Sequence, residues 1–139
     1  MTADSGAVKG PSRKWLLTIT GAIEAATGLA LLIAPLIVIE LLLGAAPSTS
    51  ATAGRVAGAA IFALGLACWL ARQDDGSRAA EGLVGAMLIY NLAVVAIIVY
   101  ARVGLGLVGV ASWPVIFAHT VLEAWCFASL ALRKNNGSS

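Results

Sequence analysis

Residues 112–132 read SWPVIFAHTVLEAWCFASLAL, a segment long and apolar enough to cross a bilayer, yet with His119 and Glu123 near its middle. The two ionisable residues are four positions apart, so on a helix their side chains lie on one face, one turn apart. A carboxylate at membrane depth is costly unless it faces a protein interior, a partner or water. The segment therefore predicts one helix of a bundle whose other helices surround these side chains.

The composition also indicates a membrane protein. Of the 139 residues, 60% are hydrophobic and only 12% are charged, and the apolar residues fall into four blocks. A typical water-soluble domain has about 25% charged residues. The sequence predicts an all-α membrane protein that forms one domain, a bundle of four transmembrane helices. The net charge of +2, without a basic cluster, gives no indication of nucleic-acid binding.

The four blocks predict helices at about residues 15–35, 55–72, 79–101 and 112–132, which together form a transmembrane domain over residues 15–132. Residues 1–14 and 133–139 are expected to be cytoplasmic tails. Pro35 interrupts the first block, and LIVIELLLG follows as far as Gly44. An unbroken helix over residues 15–43 would be about 43 Å long, which exceeds the hydrocarbon core. We therefore expect a break at Pro35 and a short interfacial helix that ends at Gly44.

The distribution of lysine and arginine predicts the orientation. With four spans, both termini lie on one side of the membrane. Seven cations belong to that side and two to the other: Lys9, Arg13, Lys14, Arg72, Arg78, Arg133 and Lys134, against Arg55 and Arg102. The positive-inside rule then places both termini in the cytoplasm.

A secretory signal peptide is the competing interpretation of the first block, because residues 51–53 (Ala-Thr-Ala) resemble a cleavage site. The apolar region is longer than the usual core of about 7–15 residues, and Glu24 interrupts it. These features favour an uncleaved helix.

Polar residues in three of the predicted helices fall at similar depth. Counted from the cytoplasmic helix ends at about 1.5 Å per residue, Glu24 and Glu123 both lie about 14 Å deep. By the same rise, Asn91 lies about 17 Å deep and His119 about 20 Å deep. We expect Glu24, Asn91, His119 and Glu123 to form a buried polar cluster, which is the candidate binding site. Two carboxyl groups in a low dielectric should titrate as a coupled unit.

Three interpretations of this cluster stay open. It can be a hydrogen-bonded structural contact that fixes the helix register. It can be a proton or cation site coupled to transport, with Glu24 acting together with Glu123 and His119. It can also bind a small molecule or a metal, although no ExxH or HxxxH pair is present and no cofactor is expected.

Two glycine patterns have structural interpretations. Gly54 and Gly58 have the GxxxG spacing of close helix contacts in membranes, within the chain or between two chains, and Gly65 extends this small-residue face. Residues 104–109 spell GxGxxG, but no βαβ pattern surrounds them, so they predict a flexible loop instead of a dinucleotide site. Cys68 and Cys126 each lie inside an apolar block, next to a tryptophan. We expect both to be buried small residues, and a thiol pair is the more weakly indicated alternative.

The stretches GAIEAATGLALLIAP (residues 21–35) and RVAGAAIFALGLACWLAR (residues 55–72) resemble a group of small, uncharacterised bacterial four-span membrane proteins. They are also similar, more distantly, to DoxX-like four-helix proteins. The resemblance implies a four-helix bundle in the bacterial inner membrane and implies no catalytic residue.

The sequence is not expected to encode an enzyme, since no activated serine or cysteine stands with a positioned base. We expect a small binding or accessory protein, and the alternative is a proton- or cation-coupled small transporter. The expected partners are the lipid bilayer and either further copies of the chain or a larger membrane complex.

Overall fold

The computed structural model describes residues 13–74 and 77–136, with side chains as far as Leu132. These residues form five helices and no strand: α1 (Arg13–Ile33), α2 (Pro35–Leu43), α3 (Ser50–Ala71), α4 (Arg78–Gly104) and α5 (Ser112–Asn136). All but α2 are long and apolar enough to cross a membrane. The predicted fold class is confirmed: an all-α protein with four such helices and a short helix after the first. The tail residues 1–12 and 137–139 and the loop residues 75–76 lie outside the described residues.

The helix ends follow local chemistry. Pro35 is the first residue of α2, where its missing N–H costs nothing, and Gly44 ends that helix in the left-handed conformation at φ 77°. The Ser77 hydroxyl caps α4 by accepting a hydrogen bond from the backbone N–H of Ala80 at 3.1 Å. Helix α3 begins at Ser50, before the predicted residue 55, since small residues such as those at 50–54 extend a helix without adding to its hydropathy.

Helices α1 and α3 form the closest helix pair, and they meet through glycines. A Cβ atom on Gly58 would lie 2.8 Å from the carbonyl oxygen of Gly28, and one on Gly65 would lie 2.9 Å from that of Gly21. A Cβ atom on Gly54 would lie 2.8 Å from the side chain of Pro35 in α2. The GxxxG pattern therefore forms a contact within the chain, where the backbones are too close to admit side chains.

Helices α4 and α5 form a second pair. The two pairs share an apolar core at the end of the bundle where α1 begins and α5 ends, built from Leu16, Leu17, Cys68, Val84, Met87, Leu122 and Cys126. Many large apolar side chains point outward instead, including Ile33, Val103 and Phe117, which are each more than 70% exposed. Such an apolar surface is suited to lipid.

Helix α2 closes the other end of the bundle. The loop from α4 to α5 (residues 105–111) packs against it, and the Ala111 N–H donates to the Leu41 carbonyl at 2.8 Å. Gly109 lies so close to the backbone of Leu41 and Leu42 that a Cβ atom would not fit. The GxGxxG residues thus end α4 and form this loop, and the loop fixes where α5 begins.

Candidate functional site

The carboxyl group of Glu24 is buried at the contact between the two helix pairs. Glu24 is 1% exposed, on the face of α1 that also buries Thr20 and Gly28. The Tyr90 hydroxyl on α4 donates to Glu24 Oε2 at 3.0 Å. Glu24 Oε1 is buried and has no hydrogen-bond partner in the described part of the chain. One polar bond therefore joins α1 to α4, and it uses one of the two carboxyl oxygens of Glu24.

A second polar contact joins α4 to α5. Asn91 is fully buried, and its side-chain amide donates to the Met87 carbonyl of its own helix at 2.8 Å. Its Oδ1 lies 2.6 Å from Nδ1 of His119. Because the Asn91 oxygen can only accept, Nδ1 of His119 must carry the proton.

Tyr90 connects these two contacts. Its ring meets the His119 imidazole edge to face, with the ring centroids 5.7 Å apart and the planes at 72°. Glu24, Tyr90, His119 and Asn91 thus form one continuous polar cluster, which we call the midplane cluster. It contains three of the four residues that the sequence predicts for the site.

Glu123, the fourth, is half-buried on α5 and makes no hydrogen bond or ion pair among residues 13–74 and 77–132. Cys68 and Cys126 are buried free thiols that belong to the apolar core. Among the described residues, no three His, Cys, Asp or Glu side chains are grouped so as to hold a metal ion.

A cavity of about 620 Å³ lies between the midplane cluster and α2. Every helix contributes to its wall, and Tyr90 and His119 belong to that wall. Apart from Thr27 and these two residues, the side chains that line it are apolar: Ile23, Ala30, Leu31, Val38, Leu41, Leu42, Ala57, Ile61, Val94, Ile97, Ile98, Ala111, Pro114, Val115 and Ala118. The arrangement is a partly open, mostly apolar pocket whose wall includes three polar side chains.

Two more buried polar atoms have no partner in the described part of the chain, Thr20 Oγ1 and Trp125 Nε1. Thr20 precedes Glu24 by one turn of α1, so its hydroxyl and the free carboxyl oxygen lie on the same helix face. The contact between the helix pairs is therefore incompletely hydrogen-bonded, in contrast to the helix backbones around it.

Sequence reasoning missed Tyr90 and the cavity. Tyr90 adjoins Asn91, so its depth was available, but a tyrosine in an apolar helix is usually read as an interfacial or packing residue. The cavity has no sequence signal, because the aliphatic residues that line it are of the same types as those that face lipid.

Comparison of the chain with protein-family models, with curated proteins and with solved structures gives no match. The midplane cluster and the cavity are therefore the features of the chain that indicate a function.

Proposed function

We propose that the chain is a small integral membrane binding protein that holds an apolar molecule in the cavity between its two helix pairs. The observation that supports this most strongly is the cavity itself, about 620 Å³ of mostly apolar wall with His119 and Tyr90 at one end. Ligand sites are typically clefts of about 300–1,000 Å³ with apolar walls and a few placed polar groups. Bundle interiors between helix pairs are a usual position for them.

The proposed membrane is the bacterial inner membrane, with both termini in the cytoplasm. The resemblance to small bacterial four-span proteins supports the first part, and the distribution of cations supports the second. The two arginines on the opposite side have structural contacts. Arg55 donates to the Leu32 carbonyl at 3.3 Å, and Arg102 donates to the Ser112 hydroxyl at 2.7 Å.

The orientation can be tested with an impermeant thiol reagent on intact cells. Ser48→Cys, in the loop before α3, should react, and Asp74→Cys, in the loop before α4, should be protected until the membrane is permeabilised. The native Cys68 and Cys126 are at most 1% exposed, so the wild-type chain should stay unlabelled. The reverse pattern would overturn the orientation.

Binding can be tested by native mass spectrometry of the purified chain with farnesyl methyl ether, an apolar probe without a hydrogen-bond donor. The wild-type chain should retain the probe. Ala118→Phe places a ring in the cavity and should abolish retention. Ala124→Phe makes the same change on α5 at an exposed position that does not line the cavity, and retention should persist. Retention by Ala118→Phe equal to that of wild type would refute binding in this cavity.

A proton- or cation-coupled transporter is the second candidate, favoured by one observation: the buried Glu24 has a carboxyl oxygen without a hydrogen-bond partner in the described part of the chain. Gln has nearly the same volume but cannot release a proton. If Glu24 exchanges protons, Glu24→Gln should release one proton fewer than wild type in a titration of the detergent-solubilised chain. Identical titration curves would remove Glu24 from any protonation mechanism and leave the binding function alone.

A further inference from the structure

The hydrogen bonds of the midplane cluster determine which atoms it can offer to a ligand in the cavity. His119 donates through Nδ1 to Asn91 Oδ1, whose amide nitrogen is held by the Met87 carbonyl. A neutral imidazole with its proton on Nδ1 has Nε2 as an acceptor. Nε2 has no hydrogen bond within the described part of the chain, and His119 is part of the cavity wall. Asn91 thus sets His119 to accept a hydrogen bond.

Tyr90 also presents a hydrogen-bond acceptor. Its single hydroxyl proton is donated to Glu24 Oε2, so the hydroxyl oxygen has only lone pairs left. Tyr90 also lines the cavity. The polar end of the cavity therefore presents two acceptors, with both of their donors already used inside the protein.

The two acceptor atoms favour a ligand that carries a hydrogen-bond donor. A carbonyl, ether or quinone oxygen has only lone pairs and gains no hydrogen bond from these atoms. A hydroxyl group can donate to either of them. A carboxylate or a phosphate would meet the nearby Glu24 carboxyl and no cation, because no lysine or arginine lines the cavity.

We infer that the ligand is an uncharged lipophilic alcohol or phenol, whose hydroxyl donates to His119 Nε2 or Tyr90 Oη while its apolar body fills the cavity toward α2. This inference rests on the proposed binding function and specifies its ligand class. The walls beyond the polar end, such as Val94, Ile97 and Val38, are aliphatic and suit a hydrocarbon body. A hydroxyl buried without an acceptor is costly, and Nε2 of His119 and Oη of Tyr90 supply two acceptors for it. Thr27 is the other polar side chain of the wall.

The first test uses the single histidine of the chain. With ¹⁵N-histidine incorporated and a purification tag free of histidine, the chain in lipid nanodiscs gives one pair of ring-nitrogen NMR signals. We expect a protonated Nδ1 and an unprotonated Nε2. Farnesol should move the Nε2 signal toward the protonated range, and farnesyl methyl ether should leave it in place. A protonated Nε2 in the ligand-free chain, or equal shifts with both probes, would overturn the inference.

The second test compares affinities for the same two probes, which differ in the hydroxyl donor. One net hydrogen bond predicts about five-fold tighter binding of farnesol than of its methyl ether. His119→Phe should remove this preference, whereas Thr120→Val, a neighbour whose hydroxyl bonds its own helix, should keep it.

The two tests separate the two proposals. Equal affinity for farnesol and its ether, with both blocked by Ala118→Phe, would refute the hydroxyl selectivity and support the binding function. Binding of neither probe would refute the binding function together with the inference. The NMR measurement uses the wild-type chain, so poor folding of His119→Phe would not affect it.

Discussion

The contact between α1 and α3 and the contact between the two helix pairs are built on opposite principles. In the first, glycines bring the backbones so close that a Cβ atom on Gly58 or Gly65 would overlap a carbonyl oxygen. In the second, long side chains keep the helix pairs apart, and one polar bond, from Tyr90 to Glu24, spans the gap. The bond between His119 and Asn91 lies next to it, within the α4–α5 pair. The first contact leaves no space, and the second contains the cavity and most of the buried polar groups.

The difference indicates where a ligand can bind in a small membrane bundle. Backbone contact through small residues gives tight packing but no chemistry. A looser contact costs packing energy, and its polar atoms provide specificity. In the proposed function, the α1–α3 pair is the scaffold and the contact with α4–α5 forms the ligand site.

The largest expected effect is at the scaffold. Gly58→Leu and Gly65→Leu should each lower the unfolding free energy by about 1–3 kcal/mol or more, because the side chain must push two backbones apart. Steric trapping in bicelles or thermal unfolding in detergent would measure the loss.

Gly82→Leu on α4 is the matched control, because nothing lies within 4 Å of a Cβ atom at Gly82. It should be nearly neutral. Equal losses at Gly58, Gly65 and Gly82 would mean that leucine destabilises through helix propensity and lipid exposure, without a tight α1–α3 contact.

An intermediate effect is expected at the polar contact between α4 and α5. Asn91→Leu removes the acceptor of the His119 Nδ1–H and should cost about 1–2 kcal/mol, because a half-buried donor is left unpaired. Combining it with His119→Phe replaces both partners by apolar groups and should recover part of that loss. A double variant whose loss equals the sum of the two single losses would argue against the bond.

The smallest effect is expected at Thr20, whose buried hydroxyl has no partner among the described residues. Thr20→Val keeps the shape and removes the hydroxyl, so it should leave stability unchanged or raise it by less than about 1 kcal/mol. Thr18→Val is the control on the same helix, since the Thr18 hydroxyl bonds the Lys14 carbonyl at 2.7 Å. A marked loss of stability on Thr20→Val would show that the Thr20 hydroxyl makes a hydrogen bond in the folded protein.

Much of the fold could be predicted from the sequence, because hydropathy reports directly which segments are long and apolar enough for a bilayer. The break at Pro35 and the cap at Gly44 follow from local backbone chemistry, and both are observed. The close contact through Gly58 follows from residue size, although the sequence did not say whether it lay within one chain. The structure places it within one chain.

Less of the site could be predicted, because depth in the membrane does not determine rotation about the helix axis. The predicted depths placed Glu24 at a similar level to Asn91 and His119, and in the structure Tyr90 connects them. Depth grouped Glu123 with them as well, but no bond links it to the midplane cluster among the described residues. Cavity volume depends on how four helices pack together, which no single segment encodes.

The most direct test of the polar contact between the helix pairs is a double-mutant cycle on Glu24 and Tyr90. The unfolding free energies of wild type, Glu24→Met, Tyr90→Phe and the double variant would be measured by steric trapping in bicelles, with Tyr100→Phe as an exposed control on the same helix. We predict a coupling energy of about 1 kcal/mol between Glu24 and Tyr90, as expected for one hydrogen bond between membrane helices, and no effect of Tyr100→Phe. A coupling energy indistinguishable from zero would contradict the bond that joins the two helix pairs.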